Sequence, residues 1–84
     1  MFRTKKAELI IDKIWRIDVV LALRSGLKIS FAHNNIETED AAKEVVATYR
    51  KGLLKAKKAK TLYEFDNNCA VEAAQVDYYI MDIK

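Results

Sequence analysis

Arg50, Lys51, Lys55, Lys57, Lys58 and Lys60 place six cations within eleven residues, with no carboxylate among them. Guanidinium and ammonium groups at this density neutralise phosphates, which gives an affinity for nucleic acid that depends strongly on salt and weakly on base sequence. Tyr63 and Phe65 follow at alternate positions. On a strand they share a face, and exposed rings beside lysines form a platform on which unpaired bases stack. These eight residues are the candidate nucleic-acid-binding set. Each also has a plainer reading. The cations are equally a solvated face, or one neutralised within the chain by Glu64, Asp66, Glu72, Asp77 and Asp82, and the aromatics equally belong to the core of so small a domain. Arg3, Lys5 and Lys6 extend the positive surface or simply solvate the terminus.

Other chemistry lacks its residues. His33 and Cys69 are the only residues of their kinds, so a Cys/His zinc cluster within one chain is excluded. Neither stands in a local motif for a nucleophile and its base. Asp66-Asn67-Asn68 lacks the spaced acids and bidentate Glu of a calcium loop and reads as a turn. No catalytic residue, metal or cofactor is expected, and the chain reads as a non-enzymatic binding protein.

The element that must carry the cations is a helix over Thr38 to Lys60. Thr38 is a good N-cap, Glu39 and Asp40 place negative charge in the first turn, and the basic run ends the helix, which suits the macrodipole at both ends. Ala42, Val45, Val46, Tyr49, Leu53 and Ala56 form one apolar seam, with Lys43, Arg50 and Lys57 on one flank and Lys51, Lys55 and Lys58 opposite it. Gly52 sits at the edge of the seam, where a close neighbour explains a residue that otherwise costs a helix about 1 kcal/mol.

Before the helix the pattern alternates. Leu9, Ile11, Trp15, Ile17, Val19, Leu21 and Leu23, then Leu27, Ile29 and Phe31, fall on odd positions, which predicts two strands rather than a helix. For Leu21 to face Ile29 and Leu23 to face Leu27, the loop needs an odd number of residues. Arg24-Ser25-Gly26 supplies three, with Gly26 at the left-handed position. So long a first strand predicts a bulge near Asp12-Lys13, with its outer half free to pair elsewhere. His33-Asn34-Asn35 is expected to end the second strand. Cys69 to Gln75 is rich in Ala and reads as a possible short helix. Val76 to Ile83 is apolar on both faces, which predicts an interior strand. The expected fold is α+β: a hairpin, a long basic helix packed on its odd-numbered face, and a C-terminal strand completing an antiparallel sheet.

Composition bounds the rest. Eighty-four residues with 51% hydrophobic and 32% charged side chains, two Gly and no Pro make one folded domain, 1–84. The net charge of +3 hides an uneven distribution, +4 over residues 1–36, −3 over 37–44, +6 over 45–60 and −4 over 61–84. The apolar run Ile14 to Leu23 carries Arg16 and Asp18 and is too short for a membrane span. No signal-peptide pattern follows the first residues, and a lone cysteine fits a reducing compartment, so the expected location is the cytoplasm. A helix seam of Ala, Val and Tyr is a poor membrane-surface anchor.

Two functions follow. The first is nucleic-acid binding, RNA or a single strand before duplex DNA, because no helix-turn-helix, zinc or ribbon-helix-helix pattern is present to read a groove. The alternative is an inhibitor or antitoxin-like module, of phage type for example, that blocks a nuclease or another nucleic-acid-handling protein. The small core and long first strand also predict a symmetric homodimer.

Overall fold

Alternation in the first third of the chain becomes a hairpin in the computed structural model, which describes residues 13–66 and 69–84. Strand β1 (Trp15–Leu23) pairs antiparallel with β2 (Lys28–Ile36), and Leu21 faces Ile29 while Val19 faces Phe31. The Leu23 N–H donates to the Leu27 carbonyl at 2.8 Å, the Gly26 N–H donates to the Leu23 carbonyl at 2.9 Å, and Gly26 has φ 96°. The three-residue loop and its register are those the parity of the pattern requires.

The outer end of the hairpin departs from expectation. β1 begins at Trp15, and Lys13 and Ile14 are not in a strand, while the expected segment from Leu9 to Asp12 lies outside the described residues. The register shift falls between Trp15 and Ile17, where Arg16 opposes Asn34 and Asn35. Asn35 takes φ 63°, a left-handed conformation that Asn tolerates. The turn-favouring asparagines therefore make a bulge and let β2 run on to Ile36, rather than ending it at His33.

Helix α1 (Glu39–Ala59) starts and stops on local chemistry. Thr38 Oγ1 accepts from the Ala41 N–H at 3.0 Å. At the other end Lys60 turns left-handed with φ 59°, its N–H donating to the Lys57 carbonyl while the Thr61 N–H donates to that of Ala56. This is a Schellman ending with Lys in the position that Gly usually takes. Ala42, Val46, Tyr49, Leu53 and Ala56 are buried and Val45 is partly so, against Ile17, Val19 and Leu21 of β1. The seam thus packs on the odd-numbered face of the hairpin.

Strand β3 (Leu62–Asp66) pairs antiparallel with β4 (Cys69–Glu72), forming a two-stranded sheet of its own. Asn67 and Asn68 of the expected turn lie outside the described residues. The Ala-rich stretch is therefore strand followed by a single 3-10 turn, Ala73–Gln75, rather than an α-helix. Pairing with Leu62–Asp66 and burial of Val71 and Ala73 override the helix preference of alanine.

Strand β5 (Val76–Ile83) pairs antiparallel with β1, so the main sheet has the order β2-β1-β5. Among the described residues β5 is an edge strand rather than the expected interior one. Its odd residues Tyr79, Met81 and Ile83 pack against the core, whereas Tyr78 and Ile80 on the other face are about half exposed. Apolar groups on both faces mark a strand whose second face is uncovered among the described residues. The chain is an α+β single domain, and no helix among the described residues is long and apolar enough to cross a membrane.

Candidate nucleic-acid interface

Because the seam of α1 faces the sheet, the cations point away from it. Arg50, Lys51, Lys55, Lys58 and Lys60 are exposed and Lys57 is half-buried. Asp18 receives Arg16 Nε at 3.1 Å and Lys84 Nζ at 3.3 Å. Burial pushes the Asp18 carboxyl up, but the hydrogen bond from Lys84, then the charge and hydrogen bond of Arg16 and the charge of Lys84, bring it below the usual carboxylate range. None of the six helix cations shares in this pairing. Their charge stays directed at solvent and mobile ions.

Tyr63 and Phe65 do share a face of β3, but that face packs inward. Phe65 is 5% exposed, and its ring centroid lies 5.3 Å from Phe31 and 5.2 Å from Tyr49. Tyr63 lies edge-on to Phe65 at 4.8 Å, its hydroxyl reaches the Thr48 carbonyl at 3.5 Å, and a Cβ added at Gly52 would overlap its ring. Phe65 is core packing rather than part of an exposed platform, whereas Tyr63 is half-buried and borders a groove beside Lys51 and Lys55. Alternation correctly places them on one face; the small core takes that face for itself.

Two shallow grooves flank the basic crest. One, of about 530 Å³, is bordered by Thr48, Lys51, Gly52, Lys55 and Tyr63. The other, of about 430 Å³, lies between α1 and the edge strand β5. Leu53, Leu54 and Tyr79 give it apolar walls, and Arg50, Lys51 and Lys57 surround them with positive charge. Tyr79 is absent from the set of candidates that the sequence suggests. Its signal is its pairing with Leu21 across the β1–β5 ladder, which brings it beside a helix far from it in the chain.

The remaining reactive side chains are arranged for packing. Tyr49 Oη lies 2.6 Å from His33 Nδ1. Burial, reinforced by the nearby Asp66, Tyr63 and Cys69, pushes the Tyr49 phenol up to about 12, so at neutral pH it is protonated. Burial and then Asp66 also push the Cys69 thiol up, which keeps the nucleophilic thiolate scarce. Among the described residues no three His, Cys, Asp or Glu side chains are grouped to hold a metal ion. In comparison with known proteins, no protein-family model, curated protein or solved structure matches the chain.

Proposed function

We propose that this protein binds single-stranded nucleic acid, RNA in preference to duplex DNA, through the exposed basic face of α1, and that it does so without catalysing a reaction. The observation that carries this reading is the condition of the helix cations. Five of the six are exposed, and the ion pairs of Asp18 involve none of them. Such cations displace the counterions condensed on a phosphate backbone, and the release of those counterions favours binding. The preference for a single strand follows from the shape of the face. α1 lies along the sheet with a shallow groove on either side, and among the described residues no second α-helix accompanies it as in a groove-reading helix pair. A cytoplasmic site of action, where RNA is abundant, belongs to the same proposal.

A second reading rests on the sheet edges. Among the described residues β2 and β5 each leave one edge unpaired, through which a partner strand can add. This supports a symmetric homodimer, and equally an inhibitor or antitoxin-like module seated on a nucleic-acid-handling protein. The first strand, whose length suggests a dimer, is the central one and offers no free edge over Trp15–Leu23.

The experiment is a titration of labelled single-stranded RNA and of its duplex with the purified protein at low and high salt. Single-strand binding that salt weakens is the expected result. No binding to either at low salt would overturn the nucleic-acid reading and give the protein-binding reading first place.

A further inference from the structure

We infer that the groove between α1 and β5 is a base-binding site, in which an unpaired nucleobase stacks on Tyr79 while the flanking phosphates meet Arg50, Lys51 and Lys57. The inference deepens the nucleic-acid reading proposed above and rests on it. Phe65 is buried and closed to a base, and the half-buried Tyr63 ring is engaged by Gly52, Phe65 and the Thr48 carbonyl, whereas Tyr79 lies among apolar walls bordered by cations.

Three observations converge on this groove. Its volume of about 430 Å³ is within the range of small-molecule sites, about 300 to 1,000 Å³. Its walls are apolar and include the half-buried ring of Tyr79 and the side chain of Leu54, which is 56% exposed on an otherwise basic stretch of helix. Its border is cationic on α1, with Arg50 and Lys57 two turns apart on the same flank and Lys51 next to them at the crest. A planar apolar base between two phosphates has the complementary distribution: an uncharged face for the ring and leucines, with anions on either side for the cations. A bare polyanion uses the cations and leaves Leu54 and Tyr79 unused.

The test compares a short oligouridylate with an abasic phosphodiester of the same length, and measures Tyr79→Leu and Tyr79→Phe beside the native protein. The native protein should bind the base-bearing strand about tenfold more tightly than the abasic one, within the range that stacking on an aromatic side chain supports. Tyr79→Leu should bring the two affinities together, and Tyr79→Phe should keep the preference, because the ring face is retained. Since Tyr79 also packs against the core, a 5-iodouridine strand photocrosslinked to the native protein gives a reading independent of folding, with the modified peptide expected to carry Tyr79. Equal affinity for the two native complexes, or a crosslink on Tyr63 instead, would overturn the base site while leaving the phosphate-binding face of α1 in place. Binding to neither strand, or to a poly-glutamate peptide alone, would overturn both.

Discussion

The ring of Tyr63 lies against the backbone of Gly52, in space that any other side chain on the helix would fill. In an exposed helix, replacing Gly by Ala stabilises by about 1 kcal/mol. Here the methyl group displaces a ring that also packs on Phe65. Gly52→Ala should therefore destabilise the native protein by about 1 kcal/mol, as overpacking does. In a Tyr63→Ala background the same change should stabilise by about 0.5 to 1 kcal/mol. Chemical denaturation of the four proteins in this cycle checks the pair, and a Gly52→Ala effect of the same sign in both backgrounds would contradict the packing of ring on backbone.

The two left-handed positions flanking secondary structure should respond in opposite directions. Gly26 has open space around it, so Gly26→Val meets only the backbone penalty of a β-branched residue at positive φ, and should destabilise by about 1 kcal/mol or more. Lys60 already bears that penalty in milder form. Lys60→Gly should stabilise the helix ending by about 0.5 to 1 kcal/mol. Thermal or denaturant unfolding of both variants is sufficient, and a neutral Gly26→Val would remove the turn geometry.

Tyr49 gives the fold an alkaline limit. Its phenol is pushed from 10.0 up to about 12 in the folded chain, so the protonated form is the one that folding favours. The stability this confers is fully present below pH 10.0 and is lost as pH rises through about 12. Titration followed by phenolate absorbance should show an ionisation near pH 12, and Tyr49→Phe should remove that late step. A titration in which the late step persists in Tyr49→Phe would assign it elsewhere.

What could be read from the sequence depended on whether one element alone decided the pattern. The hairpin register was legible because parity between Leu21 and Ile29 and the position of Gly26 agree independently. The helix was legible from Thr38 and from a seam that needs only one packing partner. Alternation placed Tyr63 and Phe65 on one face, but a period carries no information on whether that face meets water or the core. Apolar residues on both sides of Val76–Ile83 are common to an interior strand and to an edge strand with one uncovered face, and among the described residues β5 pairs with β1 alone. The alanines at 70, 73 and 74 favour a helix locally, and only their neighbours across β3 and under α1 draw them into strand and turn. The groove beside Tyr79 exists only once β5 has paired with β1, so no local pattern announces it.

The central claim, that α1 meets phosphates, is tested most directly by the salt dependence of RNA binding in the triple variant Lys51→Gln, Lys55→Gln, Lys58→Gln. All three residues are exposed and lie opposite the buried seam, and Gln is nearly as good a helix former as Lys, so the fold should be retained. Affinity should fall for single-stranded RNA of any sequence. The slope of log K against log salt should flatten by roughly 2, at about 0.7 for each phosphate that the variant no longer neutralises. An unchanged affinity and slope would contradict the account and leave the positive face as a merely solvated one.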